Sequence, residues 1–201
     1  MSHNYARIVR GNLERLDWND RDGLAARLPA RATAGGLAFR AFARDCRLSE
    51  EGILLDGRRE DGPVGILISL YALHCRPEPA ATAPFKAFKE LPGSQPYVAA
   101  FANRTEAVLA PRVDGLMERL DAVRAAFDGA DAPAEMPGDA AVVLWPLPMI
   151  ALCYLFYRSD EDFPAAATCL FGANAERFLP TDALADVGEY TSRRLVALVG
   201  G

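Results

Sequence analysis

The sequence is poor in the residues that most often carry catalysis or metal binding. Its 201 residues include only two histidines, and no two of its four cysteines are close enough to form a C-x-x-C pair. The glycine-rich phosphate-binding motifs, the G-x-S-x-G nucleophile motif and the H-E-x-x-H zinc motif are all missing from the chain. These absences argue against a P-loop nucleotidase, a dinucleotide-binding fold, a serine hydrolase and a zinc protease.

Excess positive charge and long apolar runs are also missing. Lys plus Arg is 22 and Asp plus Glu is 27, which gives a net charge of −5 and no general attraction for nucleic acid or anionic membrane. The longest apolar run, residues 142–157, contains Pro146 and Pro148 and is too short to span a membrane. The N-terminus has no secretory signal pattern. We therefore expect a soluble cytoplasmic protein without a nucleic-acid or membrane partner.

The four cysteines lie among hydrophobic residues, at Cys46, Cys75, Cys153 and Cys169. Free cysteine is among the most buried residue types, so we expect four buried, reduced thiols without a metal ligand role. The alternative is a metal or iron–sulfur site assembled in space, although the local ligand spacing of such sites is absent. His74 and Cys75 are neighbours, but adjacent helical residues do not face each other, so a helix-end role is favoured over a catalytic dyad.

Apolar spacing predicts several helices. They cover residues 5–16, a short stretch around Leu24 and Leu28, residues 116–127 with Asp114 as N-cap, and residues 184–198 with Thr181 as N-cap. The apolar segment after Pro63 reads as a buried helix, with a buried strand as the alternative. Helix N-termini favour Asp and Thr because their side chains accept hydrogen bonds from unpaired backbone N–H groups. The chain is therefore expected to be partly helical.

Strands are predicted in two places. Residues 39–55 read as two short strands joined by a turn at residues 49–52, and residues 141–145 and 149–157 read as central strands covered on both faces. Trp145, Leu152 and Phe156 should be fully or largely buried there. The pattern predicts a single α+β domain over residues 1–201, with a mixed or antiparallel sheet and helices packed on it.

Two acidic motifs are the best candidates for a functional site. Asp160, Glu161 and Asp162 follow a hydrophobic strand and precede Phe163, a pattern that fits a solvated turn better than a cation-binding loop. Glu90 precedes Leu91-Pro92-Gly93, which favours a type II turn. We hypothesise that both motifs lie on one rim, where the acids make polar contacts and Phe163 supplies apolar area. The alternative is two separate turns fixed only by folding.

These motifs also carry a family resemblance. Trp145-Pro146-Leu147-Pro148, the segment from Asp160 to Pro164, Cys169-Leu170-Phe171, Phe178-Leu179-Pro180-Thr181 and the upstream residues 88–93 together resemble the bacterial and archaeal family known as domain of unknown function 3786. The resemblance implies no activity and no catalytic residue, since the family has no established one. Some relatives carry a cysteine-rich iron–sulfur segment, but this chain has no clustered cysteines, so that role is not carried over.

Three classes of function remain open from the sequence. The first, which we favour, is a non-catalytic module that binds a small molecule, a cofactor or a protein partner, with Glu90, Asp160, Glu161, Asp162 and Phe163 as candidate ligand-binding residues. The second is an enzyme with a carboxylate-based site at Glu90 or Glu161, which would need a raised pKa in a cleft. The third is a structural or oligomerisation domain. The sequence identifies no cofactor, metal site or catalytic residue.

Overall fold

The computed structural model of the chain describes residues 2–200. Helices and strands alternate in blocks, and the strands form two antiparallel sheets, which confirms the α+β prediction. The helices are α1 (Ser2–Leu13), α2 (Arg21–Arg27), α3 (Pro63–His74), α4 (Val98–Phe101), α5 (Val113–Glu118), α6 (Leu120–Ala126) and α7 (Thr181–Val199). The strands are β1 (Arg31–Thr33), β2 (Gly36–Ala41), β3 (Arg44–Ser49), β4 (Gly52–Leu55), β5 (Arg58–Arg59), β6 (Lys86–Ala87), β7 (Ala130–Asp131), β8 (Ala140–Leu147), β9 (Ile150–Tyr157) and β10 (Ala166–Phe171).

The first sheet is a meander in which β1 to β5 follow one another in order. The prediction of two strands over residues 39–55 is wrong, because a tight turn at Phe42 and Ala43 separates β2 from β3. Both residues have positive φ, 52° and 60°. Such turns normally use Asn or Gly, so this turn had no sequence signal. The turn at residues 49–52 is confirmed between β3 and β4.

Helix α3 contacts the first sheet through Tyr71, whose ring centroid lies 6.1 Å from that of Phe39 in β2. It starts at Pro63 and buries Leu67, Ile68 and Tyr71, so the buried-helix prediction is confirmed over the strand alternative. Its long apolar surface packs against α1 and α7. The two N-terminal helices are also confirmed, although α1 ends at Leu13 and the buried Leu16 lies just beyond it.

The second sheet has the order β6-β10-β9-β8-β7, with the two predicted central strands in the middle. Leu152 and Phe156 are fully buried, as expected. Trp145 is partly buried, and it packs against a smaller hydrophobic cluster on the face of the sheet away from the main core. Pro146 lies where the pairing of β8 with β9 is irregular, between Leu144 and Leu147, which is where a strand tolerates a residue without an N–H.

A continuous hydrophobic core includes residues of both sheets and of most helices. The sheets are also joined directly, because the N–H of Phe42 donates to the carbonyl oxygen of Pro146 at 2.7 Å. Phe42 is buried, and its ring meets Tyr190 of α7 edge-on. That the whole chain is one domain stays a prediction. No helix within residues 2–200 is long and apolar enough to cross a membrane.

Two predicted helix caps are wrong. Asp114 lies inside α5, exposed, where its carboxylate meets Arg158 at 3.7 Å, and the predicted helix breaks at Arg119 into α5 and α6. Thr181 is the first residue of α7 and gives no cap bond. Its hydroxyl instead donates to the carbonyl of Pro92 at 2.7 Å. In both cases the side chain that was expected to cap the helix instead contacts a residue that is distant in the sequence.

All four cysteines are buried and free, as expected. Burial raises the pKa of Cys46 to about 12 and those of Cys75 and Cys153 to about 11, and it raises the pKa of Cys169 strongly. The Cys75 thiol donates to the carbonyl of Arg27 at 3.1 Å, just beyond the end of α3. The thiols are therefore protonated and poor nucleophiles at neutral pH.

Candidate functional site

Glu90 ends a 3₁₀ turn, Phe88–Glu90, directly after β6. Its carboxylate accepts a hydrogen bond from the N–H of Ala87 at 2.6 Å, so it holds the start of its own turn. The predicted Pro-Gly turn follows: Gly93 has φ 72°, and the N–H of Ser94 donates to Leu91 at 3.2 Å. Glu90 itself is exposed.

The second acidic motif closes the hairpin loop between β9 and β10. One oxygen of the Asp160 carboxylate accepts hydrogen bonds from the N–H groups of Asp162, at 2.9 Å, and Phe163, at 2.7 Å. Glu161 and Asp162 are exposed, and Phe163 exposes 71% of its surface. Asp160 therefore shapes the loop, while Phe163 projects from it.

The two motifs adjoin different parts of β10. Strand β6, which leads into Glu90, pairs with Leu170 and Phe171 at the C-terminal end of β10, whereas the acidic loop precedes Ala166 at its N-terminal end. Within residues 2–200, no hydrogen bond or ion pair joins Glu90 to the loop. The role of the five candidate residues in ligand binding stays a prediction.

A cleft that the sequence did not indicate lies along α7. Its volume is about 240 Å³. One wall is α7, and the other is the helical segment that runs from the 3₁₀ turn Gln95–Tyr97 through α4. The side chains that matter for its chemistry are Tyr97, Phe101, Arg104, Thr105, Asp182, Asp186 and Glu189. We call it the α7 cleft.

The wall opposite α7 contains a π-helical stretch, Ala102–Glu106, in which the N–H of Ala107 donates to the carbonyl of Ala102. Such stretches are rare in proteins, and those that do occur often lie at functional sites. Gly188 of α7 lets the two walls approach, because a Cβ there would lie 2.6 Å from Phe101 and 3.1 Å from Thr105. The close approach buries Thr105 completely, and its hydroxyl has no hydrogen-bond partner among the described residues.

Negative charge dominates the cleft. Asp182, Asp186 and Glu189 recur at a spacing that places them on one face of α7. Glu189 is balanced by Arg104 at 3.6 Å and by a hydrogen bond from Arg193. The Asp186 side chain is exposed, but the surrounding protein removes part of its hydration, which raises the pKa of its carboxyl, and the neighbouring Glu189 and Asp182 raise it further. The cleft therefore carries more negative charge than its arginines neutralise.

Polar side chains beneath the cleft join both of its walls to the second sheet. The carboxylate of Glu106 accepts a hydrogen bond from the N–H of Cys169 in β10 at 3.0 Å, and burial raises the pKa of Glu106. The hydroxyl of Tyr154 in β9 lies 3.1 Å from that of Ser192 in α7. Both walls are thus anchored to the second sheet, so their spacing is set by the core.

Part of this site had a signal in the sequence. The spacing of Asp182, Asp186 and Glu189 is visible once α7 is assigned, but acids spaced along a helix are ordinary and do not by themselves indicate a cleft. The opposite wall lies within residues 95–112, a segment that contains Pro111 and mixes 3₁₀, α and π turns, so no regular period reveals it. Within the described part of the chain, no group of three or more His, Cys, Asp and Glu side chains is arranged to hold a metal ion.

Comparison with known proteins gives a family and no further relatives. No curated protein and no solved structure is significantly similar to the chain. One family model matches residues 20–194, which is nearly the whole chain and includes both sheets and the α7 cleft. The chain therefore belongs to the family described as domain of unknown function DUF3786.

Proposed function

We propose that the chain is a non-catalytic module that binds a small organic cation, such as an amine or a guanidinium compound, in the α7 cleft. The observation that carries the proposal is the surplus of carboxylate groups on one face of α7. Asp186 has no ion-pair partner within residues 2–200, and its pKa is raised by partial loss of hydration and, to a smaller extent, by its two acidic neighbours. A bound cation would supply the missing countercharge.

The rest of the cleft suits the apolar part of such a ligand. Tyr97 lines the cleft and is 39% exposed overall, whereas Phe101, which also lines it, is buried. Aromatic faces attract ammonium and guanidinium groups, and apolar walls with a few charged groups are usual in small-molecule sites. A volume of about 240 Å³ favours a ligand smaller than a typical drug molecule.

An organic cation fits better than a metal ion, because the acids of the cleft are not arranged as metal ligands. Binding fits better than catalysis, because the residues that line the cleft include no histidine or cysteine. The raised pKa of Asp186 nevertheless favours one second candidate, an enzyme in which this carboxyl is the general acid or base. Glu90 and Glu161, the acids suggested by the sequence, are exposed and lie outside the cleft.

Compartment and partners complete the proposal. Four free, buried thiols suit a reducing compartment, which supports our proposal that the protein is cytoplasmic. The net charge of −5 supports a small-molecule partner over nucleic acid or an anionic membrane.

The test is calorimetric titration of the protein with butylammonium, benzylammonium and agmatine, with 1-butanol as a neutral control. We expect at least one amine to bind and butanol to show no heat. Replacing Asp186 with Asn should weaken binding by about tenfold or more, since a charge-assisted contact is lost. Affinity should rise with pH through the raised pKa of Asp186, because only the ionised carboxylate attracts the cation.

Asp160→Asn is the matched control, since it removes an exposed acid from the hairpin loop outside the cleft. It should leave affinity unchanged. Loss of binding in Asp160→Asn but not in Asp186→Asn would move the site to the loop. Failure of all three amines to bind would overturn the proposal, and mass spectrometric detection of a converted amine would favour the enzyme.

A further inference from the structure

The outer face of the first sheet carries a row of arginines. Strand register places Arg31, Ala38, Arg47, Leu54 and Arg59 directly beside one another across all five strands. Residues opposite each other in antiparallel strands share a face, so these side chains lie on one side of the sheet. The three arginines are exposed.

The adjacent row shows which side faces the core. It places Ala32 beside Leu37, then Leu48, then Ile53, and the last three are buried. Successive residues of a strand point to opposite faces, so the arginine row points to solvent.

Two of the arginines lack a countercharge. Arg59 pairs with Asp61 at 2.8 Å, whereas neither Arg31 nor Arg47 lies within ion-pair distance of a carboxylate in residues 2–200. The neighbouring Arg40 is already shared between Asp45 at 3.3 Å and Asp128 at 3.4 Å.

Arg31 and Arg47 also line a common depression of about 300 Å³, together with Ala38, Arg40 and Asp45. Three guanidinium groups against one carboxylate leave a net charge of +2 there. Arg31 in β1 and Arg47 in β3 lie on either side of Ala38 in β2. Their Cα atoms are therefore two strand spacings, or about 10 Å, apart. The short side chain of Ala38 leaves room above it, where two long arginine side chains can reach one group.

We propose that this depression is an oxyanion site for the phosphate group of a small phosphomonoester, held between Arg31 and Arg47. Guanidinium groups bind phosphate through paired hydrogen bonds, and a phosphomonoester carries a charge of about −1.5 to −2 at neutral pH, which matches the two unpaired arginines. The net charge of −5 of the whole chain disfavours a long polyanion, so the ligand is small. This site lies apart from the α7 cleft and does not rest on the function proposed for it.

The experiment measures binding of phenyl phosphate, inorganic phosphate and benzoate by calorimetry at low ionic strength. Phenyl phosphate should bind more tightly than benzoate, because it brings two negative charges in place of one. Arg31→Gln and Arg47→Gln should each weaken it by about tenfold or more, with unchanged melting temperatures, since both side chains are exposed. Comparable affinity for inorganic phosphate would identify the free anion as the ligand; weaker affinity would identify an organic phosphate.

Arg58→Gln is the matched control, because Arg58 is an exposed arginine of β5 that lies outside the row. Equal weakening by Arg58→Gln would mean general charge attraction and would overturn the proposal. Benzoate binding as tightly as phenyl phosphate, or no measurable binding of either phosphate, would also overturn it.

Discussion

The two sheets differ in how many of their faces are buried. The first buries one face and leaves the other to water, so that along β3 the buried Cys46 and Leu48 alternate with exposed Asp45 and Arg47. The second is covered on both faces, and β9 is buried along nearly its whole length. One face of β9 meets the common core, and the other meets a smaller cluster that includes Val143 and Leu155. The solvent-facing side of the first sheet can therefore carry charged side chains, whereas both faces of the second sheet contribute to the hydrophobic core.

The hairpin turns differ in the same way. The turn between β2 and β3 is held in a left-handed conformation by burial of Phe42, whereas the loop between β9 and β10 is held by hydrogen bonds to Asp160. Tertiary packing fixes the first turn, and local polar contacts fix the second.

The largest expected effect comes from truncating a side chain of the second sheet. Leu152→Ala should lower the free energy of unfolding by about 2–5 kcal/mol, because Leu152 is fully buried and its removal leaves a cavity. Leu54→Ala, on the open face of the first sheet, should cost about 1 kcal/mol or less. Urea denaturation of both variants gives the two values. Similar losses would mean that the open face of the first sheet is covered.

A smaller effect of opposite sign is expected at the turn of the first sheet. Ala43→Gly should raise the free energy of unfolding by about 0.5–1 kcal/mol, because Ala43 has φ 60° and glycine adopts that conformation without strain. Ala38→Gly, within β2, should instead lower it by about the same amount. Thermal and urea denaturation measure both. A loss of stability in Ala43→Gly would show that the packing of its methyl group outweighs the strain.

An effect of similar size is expected in the hairpin loop of the second sheet. Asp160→Ala should cost about 0.5–1 kcal/mol, because two backbone N–H groups lose their acceptor. Glu161→Ala changes an exposed neighbour without such contacts and should stay within about 0.5 kcal/mol of the parent. The difference between the two unfolding free energies is the measurement. Equal values would mean that water replaces the carboxylate at no cost.

The contrast between the sheets also explains what the sequence could predict. Helix α3 and strands β8 and β9 are long apolar runs whose burial follows from composition. The division of β2 from β3 was missed because Phe42 and Ala43 are not turn residues, and the break at Arg119 was missed because it has no glycine or proline. Strands β6 and β7 are two residues each and leave no pattern.

The candidate sites were harder to predict for a related reason. The walls of the α7 cleft are about 80 residues apart in sequence, and the arginine row exists only through the register of five strands. Glu90 and Asp160 stood out because acids follow apolar segments, and the structure gives both a local hydrogen-bonding role. Single-sequence patterns report local structure well, but they do not report which distant residues become neighbours.

The hydrogen bond from the Phe42 N–H to the Pro146 carbonyl makes the exchange rate of one amide proton a measure of whether the two sheets stay together. Its donor belongs to the first sheet and its acceptor to the second, so the proton is released to solvent only when the two sheets part. Deuterium exchange at Phe42, compared with exchange at amides inside β3 and β9, therefore shows whether the sheets separate before either one unfolds. If Phe42 exchanges as slowly as the slowest amides of both sheets, the halves of this protein open as one cooperative unit.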